Sequence, residues 1–285
     1  MLNNIWEPEL ILEQRGNSMT CDLHLHSIYS FDGKASVADI CKAAKDHGVD
    51  IISITDHCDM TDGPEGIISY LNNEQARIAA FQELAANNSG VEVLYGVEIG
   101  NPYDMPERTA EFLSTRKFDF IIGSVHFLSD GSDIYYLPYS TPEEIDSMFR
   151  DHFISMKKLV DLGGFDTLAH LDYPVRVLRN KIPDTSVIRY RDLIEPVLET
   201  LVQKNIALEI NTRGTYDWQN RVGPEDWVLT RYRELGGKYV TIGSDSHVTE
   251  HVGDGFREAA AALKRNGFDS YTIYRNRQPV QIPLD

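Results

Sequence analysis

Apolar residues along this chain follow two alternating rhythms. Short β-rich runs recur as CDLHL (21–25), DIISI (50–54), VEVLYGV (91–97), FDFIIGSV (118–125), FDTLAH (165–170), IALEI (206–210) and YVTIG (239–243). Longer amphipathic stretches separate them, the pattern of a parallel sheet built from βα units. The stretches carry their own punctuation. Ser36 is placed to cap SVADICKAAKDH, which stops at Gly48, and Thr141-Pro142-Glu143-Glu144 supplies a cap, a first-turn proline and a capping-box glutamate for a helix of about five turns. Further helices are expected in NNEQARIAAFQELAANN before Gly90, RYRDLIEPVLETLVQKN, EDWVLTRYREL before Gly236 and GFREAAAALKRN before Gly267.

Seven strand runs thus alternate with six helical stretches, a βα pattern along the whole chain. No Pro/Ser-rich linker or repeat divides the chain, so residues 19–285 read as one domain preceded by an N-terminal extension, 1–18. The stretches 59–69, 127–141 and 173–186 are long enough to act as lids or substrate loops.

Composition narrows the function classes. The 285 residues, 42% hydrophobic and 25% charged, suit a globular fold of α/β-barrel size. Against 44 Asp and Glu stand 27 Lys and Arg, and a net charge of −17 disfavours extended nucleic-acid binding. Cys21, Cys41 and Cys58 are odd in number and lack CxxC spacing, so neither a full disulfide set nor a thiolate metal cage is expected, and a reducing cytoplasm fits. No apolar run approaches a membrane span, and MLNNIWEPELILEQRGNS lacks the regions of a signal peptide, so a cytoplasmic, unexported protein with no membrane partner is expected.

The chemistry gathers where the runs end: His24 and His26 (DLHLH), His57 (ITDH), Glu98 (YGVE), His126 (GSVH), His170 (TLAH), Asp245 and His247 (GSDSH). The third run ends on Glu98 in place of a histidine, and the sixth, also without one, offers Glu209 and Asn211. In a parallel barrel these ends converge on one face, and His-x-His points both imidazoles to the same side. Eight titratable groups packed together without counter-ions would be costly, whereas divalent cations turn that cost into binding. Imidazole and carboxylate without thiolate suit Zn, Mn or Fe, and the set is large enough for two or three ions, with Glu98 and Asp245 suited to bridging or anionic coordination. Such a site generates a hydroxide and clamps phosphoester oxygens, which implies hydrolysis. Asp56 is a candidate for orienting an imidazole or, equally, for a backbone hydrogen bond; Cys58 reads as a small buried spectator; His47, His152 and His251 fall in or beside helices and stay outside the cluster.

The segments DLHLHSIYSFDG, GVDIISITDHCDM, YGVEIG, DFIIGSVHFL, AHLDYPVR, LEINT and GSDSH stand in one order between about Thr20 and about Ala262. As a set they resemble the PHP (polymerase and histidinol phosphatase) superfamily, closest to its histidinol-phosphatase branch. The resemblance implies a distorted (β/α)7 TIM-like barrel and a trinuclear site: His24, His26, Glu98 and Asp245 on one metal, Glu98, His126 and His170 on a second, His57 and His247 with Asp32 on a third. Asp32 replaces a histidine found in some members and is a harder ligand. The implied activity is hydrolysis of a small phosphorylated substrate, first L-histidinol phosphate, by a metal-bridging hydroxide. The His57 and His247 region would assist the leaving group, a role exclusive of metal binding at the same neutral imidazole. Arg176 resembles a phosphate-binding arginine, with Arg179 and Arg213 as alternatives. Acidic loop residues Asp62, Glu65, Asp104, Asp130 and Asp133 are expected to attract a cationic substrate. Competing readings are a phosphodiesterase or exonuclease of the same superfamily, a metallo-amidohydrolase and a non-catalytic metal-binding relative. Oligomeric state is not legible in the sequence.

Overall fold

The computed structural model describes residues 19–63, 66–87, 90–139, 141–178, 186–217 and 220–285. Seven parallel strands form one sheet in chain order: β1 (Cys21–Leu25), β2 (Ile51–Ile54), β3 (Glu92–Gly100), β4 (Phe120–Ser124), β5 (Thr167–Leu168), β6 (Ala207–Asn211) and β7 (Val240–Gly243). The sheet curls until β7 returns to β1. There a single parallel bridge joins Leu25 to Ser246, with Asp245 N–H donating to His24 O at 2.8 Å and His26 N–H to Ser246 O at 2.9 Å. Buried Asp22 reinforces this seam by accepting from the Ser244 and Gly253 N–H groups, each at 2.8 Å. The result is the expected distorted (β/α)7 barrel.

Strand residues such as Leu23, Ile51, Ile122, Leu208 and Val240 are fully buried, as strands covered by helices on one side and by the barrel interior on the other must be. The covering helices are α1 (Val37–His47), α2 (Ile67–Asn87), α3 (Pro106–Ser114), α4 (Pro142–Leu162), α5 (Tyr173–Leu178), α6 (Arg191–Lys204), α7 (Asp226–Glu234) and α8 (Phe256–Arg265). Their ends follow the expected chemistry. The Ser36 side chain accepts from Asp39 N–H, Gly48 closes α1 at φ 75°, and Thr141 and Glu144 form a full capping box on α4.

Several elements differ from expectation. β3 runs three residues further, to Gly100, and β5 shrinks to two residues. α2 begins at Ile67, inside the expected loop 59–69, and α5 occupies the first part of the expected loop 173–186. Helix α3 and a C-terminal hairpin, β8 (Ser270–Arg275) with β9 (Gln278–Pro283), are additions. The hairpin caps the end of the barrel where strands begin. Tyr271 donates to Met19 O, Tyr274 to Asp166 O, and Arg275 clasps Glu92 with two hydrogen bonds of 2.6 Å. The N-terminal stretch 1–18, Glu65 and Arg179 lie outside the described residues. Among the described residues no helix is long and apolar enough to cross a membrane, and the three cysteines are free and buried.

Candidate metal centre

Six of the seven barrel strands deliver a ligand-type side chain to the cluster just before or just after their C-terminal ends. His24 lies in β1 and His26 directly beyond it; Glu98 lies near the end of β3, bridged to His57; His126 and His170 follow β4 and β5 by two residues; Asp245 and His247 follow β7. Two of them hold backbone conformations that non-glycine residues rarely adopt, His170 at φ 21° and Asp245 at φ 56°. Strain of this kind persists where surroundings over-determine it, typically in binding sites. Here the His170 N–H is held by Glu209 at 2.8 Å, and Asp245 by the β1–β7 seam.

Glu98 is the hub. Its Oε1 lies 3.0 Å from His170 Nε2 and 3.3 Å from His126 Nε2. Its Oε2 lies 3.0 Å from His57 Nδ1, 3.3 Å from His24 Nε2 and 3.5 Å from His26 Nε2. Asp245 Oδ1 stands 3.5 Å from His26 Nε2, and Asp32 Oδ2 stands 2.9 Å from His247 Nε2, with the other Asp32 oxygen 3.8 Å from His57 Nε2. All nine residues singled out in the sequence are thus in one constellation. Four sets have ligand atoms within 4.8 Å of one another: His26, His57 and His247; His24, Glu98 and His170; His24, His26 and Asp245; His57, Glu98 and His126. His57 therefore takes part in two of them, facing Glu98 with one ring nitrogen and Asp32 with the other.

The far sides of the rings fix their orientation. His24 Nδ1 is 2.6 Å from Glu209 Oε1, His126 Nδ1 2.8 Å from Asp59 Oδ1, and His26 Nδ1 3.1 Å from Ser30 Oγ. Acceptors on Nδ1 hold a proton there and turn Nε2 toward the centre, where a cation can take the place of its proton, the arrangement of metal-binding histidines. Sequence reasoning gave Glu209 no role and passed over Asp59 and Ser30; the one available signal was the position of Glu209 at an inward-facing strand end.

These residues fit divalent cations. His24 Nε2, His26 Nε2, His57 Nδ1 and Glu98 Oε2 are buried and make no hydrogen bond although they converge, an arrangement that costs free energy unless a cation sits among them. Electrostatics agree. Burial disfavours the Glu98 carboxylate, yet His24, His57 and His126 outweigh it and hold its pKa well below the usual range. Burial likewise opposes ionisation of Asp245, which Arg176 and His24 overcome. Burial pushes His57 down, but Glu98 and Asp32 raise it to about 9. His26 is held well below its ordinary value by burial and by His247 and His57.

The cluster opens into a pocket of about 530 Å³ whose wall includes Phe31, Asp32, Asp133, Tyr173, Arg176 and Arg213. Arg176 donates to Asp245 Oδ2 at 2.6 Å and stacks over Tyr173. Arg213 donates to the Asp245 carbonyl at 3.2 Å and sits 3.2 Å from His247 Nδ1. Both guanidinium groups thus border the carboxylate–imidazole cluster. Of the acidic loop residues, Asp133 lines the pocket. Asp62 pairs instead with Arg108, Asp104 accepts from Asn101, and exposed Asp130 accepts from Ser132 in a turn. Asp56 touches no imidazole and holds the Ser27 N–H at 2.7 Å. Cys58 is fully buried; His47 and His152 bond to the carbonyls of Val252 and Leu171; His251 stacks on Tyr216 at the pocket wall and pairs with Asp254.

Comparison with known proteins gives a consistent picture. The sequence profile of the family described as the PHP domain matches residues 22–213. A probable histidinol-phosphatase of Thermotoga maritima is 32% identical, the match spanning 92% of this chain and 99% of that protein. The histidinol-phosphatase of Lactococcus lactis is 26% identical over 89% of this chain and 93% of its own. Among solved structures, histidinol phosphate phosphatase from Lactococcus lactis, complexed with Zn, L-histidinol and phosphate, superposes with a TM-score of 0.75 at 24% identity, covering 92% of this chain and 98% of that one.

Proposed function

Because the chain belongs to the PHP domain family, we propose that it is a metal-dependent phosphoric monoester hydrolase acting on a small phosphate ester, with L-histidinol phosphate the leading substrate. The observation that carries the reading is the convergence of unpartnered buried imidazole nitrogens and a Glu98 oxygen beside two arginines in one pocket. His24, His26, Glu98 and Asp245 would hold one cation, Glu98, His126 and His170 a second, and Asp32, His57 and His247 a third, the set suiting Zn, Mn or Fe. When bound, such ions supply Lewis-acid activation of water and neutralise phosphoryl oxygens.

The chain's own residues do the rest. Arg176 and Arg213, flanking Asp245, would receive phosphate oxygens, a task suited to planar guanidinium forks. Proton delivery to the leaving oxygen falls to the corner made by Asp32, His57 and His247, where His247 Nε2 can hold a proton against Asp32 or face a cation but not both. Asp133 is the acid placed to attract a cationic leaving group. Residues 19–285 act in this reading as one hydrolase domain.

The test is phosphate release from L-histidinol phosphate beside an aryl monoester and a phosphodiester, after reconstitution with Zn or Mn and with His126→Ala as control. We expect the highest kcat/KM for L-histidinol phosphate and its loss in the control. Equal turnover of both monoesters would retire the substrate assignment alone. Faster cleavage of the diester would replace the monoesterase reading with an exonuclease-type one.

A further inference from the structure

Behind the cluster a second buried polar set runs between β2 and α2. The Asp56 carboxylate, inaccessible to solvent, accepts four more hydrogen-bond contacts beyond the Ser27 N–H or shared with it: the Ser27 hydroxyl at 3.0 Å to each oxygen, the Ser30 hydroxyl at 3.2 Å and Arg77 Nε at 3.0 Å. A carboxylate can only accept, so the Ser30 proton points at Asp56 and the Ser30 oxygen is left to accept from elsewhere. Two donors reach it: His26 Nδ1 at 3.1 Å and the backbone N–H of His57 at 3.0 Å. One hydroxyl thus ties together two residues of the cluster whose rings stack 4.2 Å apart.

Arg77 anchors the other end. It is 1% exposed, lies 3.7 Å over the Tyr70 ring, and its Nη1 and Nη2 make no hydrogen bond among the described residues. Burying a permanently charged guanidinium with two idle nitrogens is costly, and among the described residues its ion-pair partner is Asp56. A pair serving packing alone would be replaceable by apolar side chains; this one ends on a metal-facing imidazole.

We propose that Ser30, held by the Asp56–Arg77 pair, is a positioning residue that locks the Nδ1–H tautomer of His26 and the backbone of His57, so that both rings face the cations. The proposal rests on the metal-centre reading above. It contrasts with the carboxylates behind His24 and His126: here the acceptor is neutral and the charge sits one residue further back, balanced by Arg77.

Zn titration of the full chain by calorimetry, with Co absorption as a geometric signature, tests it. Ser30→Ala should weaken cation binding about 10- to 100-fold and alter the Co spectrum, while the chelated protein stays folded with a melting temperature lowered by the unpaired His57 N–H. Ser30→Thr, which restores the hydroxyl, should recover binding. Ser27→Ala removes a hydroxyl from the same carboxylate but touches no imidazole, and should bind as wild type. Should Ser30→Ala not fold, Ser30→Cys preserves the volume with a weak acceptor and is expected to show the same loss. Wild-type binding by Ser30→Ala or Ser30→Cys, or an equal loss in Ser27→Ala, overturns the relay. A wild-type chain that binds neither Zn nor Co would instead retire the metal-centre reading on which it stands.

Discussion

His57 meets two carboxylates at once, Glu98 through Nδ1 and Asp32 through Nε2, and they lift its pKa to about 9 against the pull of burial. A proton and a cation therefore compete for it. Below pH 9 the proton must be displaced, and His24 and His126, lifted well above their ordinary value by neighbouring carboxylates against burial, add to the effect, so apparent Zn affinity should rise with pH by at least about tenfold per unit between pH 7 and 9. Competition titrations with a chromophoric chelator across that range check this, and a flat profile would remove His57 from the ligand set. Eight of the nine cluster residues were legible in the sequence because strand ends, His-x-His and the TDH and SDSH segments mark position as well as chemistry, whereas Asp32, in a loop, came only with the family resemblance. Their supporting groups were not. Asp56 had looked able to orient an imidazole directly, but Asp59 and Glu209 do so, on His126 and His24. A carboxylate behind a ring follows no spacing rule, since its partner comes from another strand.

At the scale of elements, close strand packing leaves no room at certain glycines. A Cβ on Gly100, at the end of β3, would collide with Asp59 Oδ1 and approach His126 Nδ1 to 2.9 Å. Gly100→Ala should displace the Asp59–His126 pair and lower both cation affinity and kcat by about tenfold or more, while the strands, paired through backbone, survive; parallel metal titration and phosphate-release assays measure it. The strands and main helices were legible because each apolar run is bounded by caps and glycines that the backbone uses, such as Ser36 with Gly48 and the Thr141–Glu144 box. The hairpin β8–β9 was not. Its turn places Asn276 and Arg277 at φ 49° and 66°, and an arginine in a left-handed conformation is no turn signal.

At the scale of the molecule, chemistry and support lie at opposite ends of the barrel. The hairpin binds residues that precede strands: Arg277 Nε donates to both Asp166 oxygens at 2.8 and 2.7 Å, and Asn276 N–H to Asp119 at 3.0 Å. Arg277→Ala should cost about 2 kcal/mol of stability and leave kcat/KM unchanged; denaturant melts beside the phosphate assay distinguish this from a coupled effect. The parallel α/β class was legible from alternation, because repeated βα units have few ways to bury both sheet faces, and the distorted barrel came with the family resemblance. How the barrel closes was not, since the seam is one bridge and the Asp22 side chain rather than a full ladder. That seam has a consequence for biosynthesis. His24 and His26 leave the ribosome long before Asp245 and His247, and they meet only when β7 docks beside β1. A nascent chain thus carries an incomplete, histidine-rich ligand set until β7, the last strand of the barrel sheet, emerges and completes the proposed metal centre.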